Sequence, residues 1–190
     1  MNMTKTTVRG FTLIEAMVAV TILTLSIAGP LYTANSAIVA SMIARDQLTA
    51  SYLAQEGIEY VRALRDYEYL AAYHLGGASV SADAWSNFLT RIEAKCLSPL
   101  SCTLDPVLRG MGYGSGFSVE VFSGNEPLFL TLSNIYTQQN LSESVKTSFT
   151  RTIQVVHISA TDERIISTVS WSYHGTQHFV TVYDHLTPWQ

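Results

Sequence analysis

Glu15 is the one carboxylate in an otherwise apolar run, and residues 16–44 after it hold no Asp, Glu, Lys or Arg. Its chemistry would be ion pairing at low dielectric, because a buried charge without a partner is costly. By itself it reads equally as a helix-end carboxylate reaching for the interface. Cys96 and Cys102 lie six apart around Pro99. They suggest a small-loop disulfide, with free thiols as the alternative; metal binding would need further ligands nearby, and none is evident. His157, His174, His178 and His185 lie in or beside the last strand-like segments, with His174 and His178 flanking a turn. Histidines at strand ends are commonly just half-exposed side chains, so no metal is assigned to them. Ser, His and Asp occur without the nucleophile elbow of a hydrolase. Carboxylates are scattered, with no Asp-x-Asp loop for calcium. The Gly110–Gly116 stretch lacks the preceding strand and the following Lys-Ser/Thr of a phosphate loop. The expectation is no enzyme, no metal and no cofactor.

The N-terminal segment must position Glu15. Residues 1–10 carry Lys5 and Arg9 and no acid, and Phe11–Leu31 is apolar or small apart from Thr, Ser and Glu15. Twenty-one helical residues span roughly 31 Å, the thickness of a bilayer core. The hydroxyls of Thr12, Thr21, Thr24 and Ser26 are expected to bond carbonyls one turn back. With Lys5 and Arg9 before the span and Arg45 well beyond it, the charge rule places the N-terminus in the cytoplasm and the rest outside. No second such run follows, so the topology is a single span with one external domain, where disulfides are permitted. A secretory signal cut after Ser26-Ile27-Ala28 is the competing reading. Against it, Glu15 interrupts the apolar region and the helical pattern continues past the cut.

Composition narrows the classes further. The chain of 190 residues is 47% hydrophobic and 14% charged, which excludes disorder. A formal net charge of −4 without a basic stripe argues against nucleic-acid binding.

The string Arg9-Gly10-Phe11-Thr12-Leu13-Ile14-Glu15 resembles the processing site of type IV pilins and pseudopilins. The resemblance implies that prepilin peptidase cuts between Gly10 and Phe11 and N-methylates Phe11. Glu15 would then be the fifth residue of the mature chain, placed to pair with the terminal amine of a neighbouring subunit. It implies assembly with other pilin or pseudopilin subunits, from a store in the lipid of the cytoplasmic membrane into a periplasmic or extracellular filament. Gly29-Pro30 falls where the family helix often breaks, and Pro30 cannot donate to the Ser26 carbonyl, so a kink or local loosening is expected. Val169-Ser170-Trp171 and Leu186-Thr187-Pro188-Trp189 resemble the C-terminal end of minor, V/I-type members, with Pro188 where a polar residue is usual. Pilus and secretion pseudopilus subunits share these features. The alternatives are a filament-tip adhesin or DNA-uptake subunit on the same anchor, and a signal-anchored extracytoplasmic enzyme.

The remaining pattern gives the fold class. Residues 12–70 read as one helix with Ala50, Ala54, Gly57, Val61 and Leu64 on a single face. Arg62 and Asp66 are spaced as an i,i+4 pair, and Tyr52, Tyr60, Tyr67, Tyr69 and Tyr73 are read chiefly as packing. Residues 83–96 read as a short amphipathic helix capped by Ser81 or Asp83. From residue 117 the period becomes two. Residues 117–122 and 128–132 are expected to form a hairpin, followed by strands 148–158, 164–173 and 178–186 with turns at 161–163 and 174–177. The class is α+β, a long N-terminal helix against a small antiparallel meander. The division is 1–10 leader, 11–32 membrane and filament-core helix, 33–75 second helix half, and 76–190 globular domain.

Overall fold

A computed structural model describes residues 10–76, 79–105 and 118–188. The chain is α+β: helix α1 (Leu13–Leu75) and helix α2 (Val80–Cys96) precede seven antiparallel strands. The strands are β1 (Cys102–Asp105), β2 (Ser118–Val121), β3 (Pro127–Leu130), β4 (Tyr136–Thr137), β5 (Val145–Ser159), β6 (Asp162–Tyr173) and β7 (Thr176–Leu186). The chain divides into two compact units, Met1–Arg45 and Asp46–Gln190. No side chain between residues 33 and 49 is fully buried, and Ala50 is the first that is.

In the second unit β5 is the strand on which the sheet depends. One edge pairs with β6, and β6 with β7, in the meander expected from the alternation. The other edge is shared by β3, which pairs along residues 145–150, and β1, which meets it at Cys102↔Ile153. The expected 117–132 hairpin does not form: β2 pairs with β1, and β3 pairs with β4 and β5. The turn signal at 123–126 is real but joins two strands that belong to different neighbours. The turns also shift. β6 already starts at Asp162, and His174–Gly175, both at positive φ, closes the β6–β7 hairpin as a primed turn.

Burial on β6 alternates, with Glu163, Ile165, Ser167, Val169 and Trp171 facing inward. Against this face lies the predicted helix stripe. Ile58, Val61 and Leu64 meet Ile153, Val155, Ile165 and the α2 residues Trp85, Phe88 and Ile92. Ala50, Leu53 and Ala54 meet Leu128, Phe149, Val169 and Trp171. Gly57 sits between these clusters. A Cβ there would lie 3.0 Å from Ile153 Cδ1, 3.1 Å from Arg151 Cδ and inside contact distance of Ser167 Oγ. The small residue lets the helix approach the sheet.

Arg151 locks that approach. Its side chain is 1% exposed, and its guanidinium donates to Glu56 Oε2 at 2.7 Å, the Leu53 carbonyl at 3.3 Å and the Leu104 carbonyl at 3.4 Å. It lies 4.8 Å from the centre of the Tyr60 ring, and the Tyr60 hydroxyl donates to Glu56 Oε1 at 2.5 Å. Arg62 bonds Glu59 and Asp184 rather than Asp66, which takes Arg65 instead. A carboxylate from β7 offers Arg62 a less solvated partner than the neighbouring helix turn. At the other end α1 stops at Gly76, whose φ of 70° admits a left-handed cap. In α2, neither Ser81 nor Asp83 occupies the cap position; the helix begins after Ser79, one turn earlier than the sequence signal.

Two outcomes follow for this packing. Gly57→Ala should lower the thermal midpoint, costing about 1–3 kcal/mol of stability, although alanine is the better helix former by about 1 kcal/mol. Thermal denaturation decides the sign. Tyr60 has a hydroxyl pKa pushed above the tyrosine range, first by burial and then by the bond to and charge of Glu56. A group whose pKa is raised by folding contributes stability below its unfolded value, about 10, and loses it above. Stability should therefore fall above about pH 10, and in denaturant titrations Tyr60→Phe should flatten that fall.

Candidate processing and assembly site

Gly10, Phe11 and Thr12 precede the helix, are not helical and are exposed. The first α1 bond runs from the Ala16 N–H to the Thr12 carbonyl. Thr12 is the N-cap: its hydroxyl accepts the Glu15 N–H at 3.3 Å, and the residues one turn before it lie outside the described residues. Glu15 lies in the first turn, where a negative charge complements the helix dipole. Thr12 and Glu15 have the spacing of a capping box, so the same residues that resemble a processing signal also start the helix. Arg9 lies outside the described residues.

Beyond Glu15, the exposed large side chains include Met17, Val18, Ile22, Leu23, Leu25, Ile27 and Leu31. α1 contains a window long and apolar enough to cross a membrane, none of it buried within the chain. The hydroxyls along it close on their own helix: Thr21 on the Val18 carbonyl, Thr24 on Thr21 and Ser26 on Ile22. The α-helix continues through Gly29 and Pro30. There the Thr33 hydroxyl donates to the Pro30 carbonyl at 2.9 Å and the Gly29 carbonyl at 3.3 Å.

Residues 5–29 match the family model for the prokaryotic N-terminal methylation motif. The N-terminal segment is that of a type IV pilin-like protein. Such a motif implies processing by prepilin peptidase and assembly with other pilins. Together with the apolar helix it fits a membrane-anchored protein. No curated protein and no solved structure matches the chain.

The other candidate residues lie in the second unit. Cys96 and Cys102 form a disulfide, both sulfurs buried, linking the end of α2 to the start of β1. Val169 and Trp171 belong to the core, as does Leu186, so the C-terminal likeness is carried largely by packing residues; Trp189 lies outside the described residues. The glycine-rich 110–116 stretch also lies outside them.

The histidines separate. His178 stacks on Trp171 at 5.4 Å, and His174 stands edge-on to Tyr173 in its turn. His185 bonds Asp162 at 2.8 Å. His157 is different. It meets Glu163 and approaches Glu93, forming the one cluster of three metal-competent side chains among the described residues. Burial pushes the Glu163 carboxyl above the ordinary carboxylate range, with His157 pulling the other way. Sequence reasoning missed this cluster because Glu93 comes from α2. The available signal was that Glu163 would alternate inward with Ile165 and Val169. Among the tyrosines, Tyr60 packs on Arg151 and Tyr67 lies under Arg91, whereas Tyr52 and Tyr73 are exposed.

Proposed function

We propose that this chain is a minor pilin or pseudopilin, a structural subunit of a type IV pilus or type II secretion-like filament, with assembly rather than catalysis as its role. The observation that carries the reading is the first half of α1. It bears a methylation motif at its start and a long series of large apolar side chains with no cover within the chain. Before assembly the cover is membrane lipid, with the N-terminus in the cytoplasm and the second unit outside; afterwards it is the helices of neighbouring subunits. The buried Cys96–Cys102 bond supports an oxidising compartment for the second unit.

Prepilin peptidase would recognise the basic residue Arg9 and cut between Gly10 and Phe11, and the new Phe11 amine would be methylated. That cut falls in exposed, non-helical backbone and leaves the Thr12 cap intact. The Phe11 amine would be a cation at the positive end of a helix dipole, an unfavourable place. Glu15 of an adjacent subunit relieves it, and in apolar surroundings a mispaired register would leave two uncompensated charges. The net charge of −4 supports protein and lipid partners rather than nucleic acid. A second reading, a filament-tip binding subunit on the same anchor, draws on Phe179 and Tyr183, exposed aromatics on one face of β7.

Breaking a buried ion pair costs about 3–5 kcal/mol. Glu15→Ala should therefore be processed normally yet enter filaments more than tenfold less than the wild type, read by quantitative immunoblotting of sheared filaments against the membrane pool. Incorporation at the wild-type level would refute the pairing.

A further inference from the structure

Glu93, His157 and Glu163 meet at the closed end of the β5–β6 hairpin. His157 and Glu163 are directly opposed across the two strands, and Glu93 reaches them from α2. His157 Nδ1 lies 2.5 Å from Glu163 Oε1 and 3.7 Å from Glu93 Oε1, and one donor atom of each residue lies within 4.8 Å of the other two. The site has a sealed floor and an open mouth: the Glu163 side chain is 0% exposed, whereas that of His157 is 52% exposed. The floor carries an unmet demand. Oε2 of Glu163 is buried without a hydrogen-bond partner, although it shares its carbon with the oxygen that meets His157. A buried acceptor left unpaired costs about 1–3 kcal/mol, more when charged.

We propose that these three side chains bind a single divalent transition-metal cation of the zinc class. One imidazole and two carboxylates form a mixed nitrogen–oxygen set suited to zinc, whereas calcium and magnesium take all-oxygen shells. Bond lengths of about 2.0–2.2 Å set tetrahedral donors roughly 3.3–3.6 Å apart. The donors here bracket that spacing, so small side-chain rotations close the shell. The ion takes the place of the hydrogen bond between His157 and Glu163, with Nδ1 of His157 free of its proton in the metal-bound form. It also gives the buried carboxylate its missing partner, and water completes the coordination at the open mouth. The bound ion would fasten α2 to the hairpin on the side of α2 away from Arg91, whose guanidinium already ties that helix to Glu68 on α1.

The test uses the full-length, untagged protein in detergent, stripped with chelator and titrated with zinc chloride by calorimetry and thermal unfolding. Expected are one zinc per chain at micromolar affinity or tighter and a rise in thermal midpoint by mass action. Glu93→Gln and His157→Asn, both at partly exposed positions, should each weaken binding by more than about tenfold, and Glu163→Gln should abolish it. Should the buried Glu163→Gln fail to fold, the first two variants carry the test. Absence of saturable one-to-one binding, unchanged affinity in Glu93→Gln and His157→Asn, or a larger stabilisation by calcium than by zinc would each overturn the proposal.

Discussion

The large apolar side chains of α1 between Phe11 and Leu31 have no cover of their own, and the architecture is organised around that debt to the surroundings. Burying one such side chain contributes about 1.5–3 kcal/mol. Over this segment the sum is on the order of 20 kcal/mol, above the ~5–15 kcal/mol that holds a typical domain together. Water is therefore not a tolerable environment for the segment, whatever the rest of the chain does. Hydrocarbon satisfies it, and so do other helices of the same kind. The hydroxyls of the segment suit either setting, because they bond within the helix: Thr21, Thr24 and Ser26 donate to carbonyls one turn back, and Thr33 to those of Gly29 and Pro30.

The second unit resolves the same helix differently. There α1 has a partner in the chain, and the approach is close enough that a Cβ at residue 57 would crowd the Ser167, Ile153 and Arg151 side chains. Arg151 is buried under that contact, and the docking supplies most of its partners: Glu56, Tyr60 and the Leu53 carbonyl from α1, beside the Leu104 carbonyl from the adjacent strand β1. A guanidinium in such a place is strongly destabilising if its carboxylate is missing. The arrangement thus specifies one register of helix on sheet, a service that apolar contacts alone perform less strictly. The disulfide and the Arg91–Glu68 pair hold α2 in the same frame.

Much of this was legible along the chain, for a reason that particular residues make plain. Ala50, Ala54, Gly57, Val61 and Leu64 repeat at helical spacing, and the inward residues of β6 repeat at two, so periodicity reveals both the elements and the faces they bury. The start of the helix was legible too, in the Thr12–Glu15 spacing that caps it. Long-range choices were not legible. β1 has only four residues and announces no alternation, yet it captures β2, and so the hairpin expected across 117–132 gives way. Arg62 prefers Asp184 on β7 to Asp66 one turn away. Glu93, His157 and Glu163 come together only once α2 is laid beside a hairpin. Periodicity names a face but is silent on which distant residue will meet it.

The central claim is that the apolar first half of α1 begins at a new terminus made by cleavage and is retained in the mature protein. Intact-mass spectrometry of the protein purified from its native membrane tests it most directly. The account expects the mass of residues 11–190 with one added methyl group, with fragment ions placing the methyl on the Phe11 amine. A mature chain that retains residues 1–10, or one that begins at Gly29 with the apolar segment lost, would contradict it.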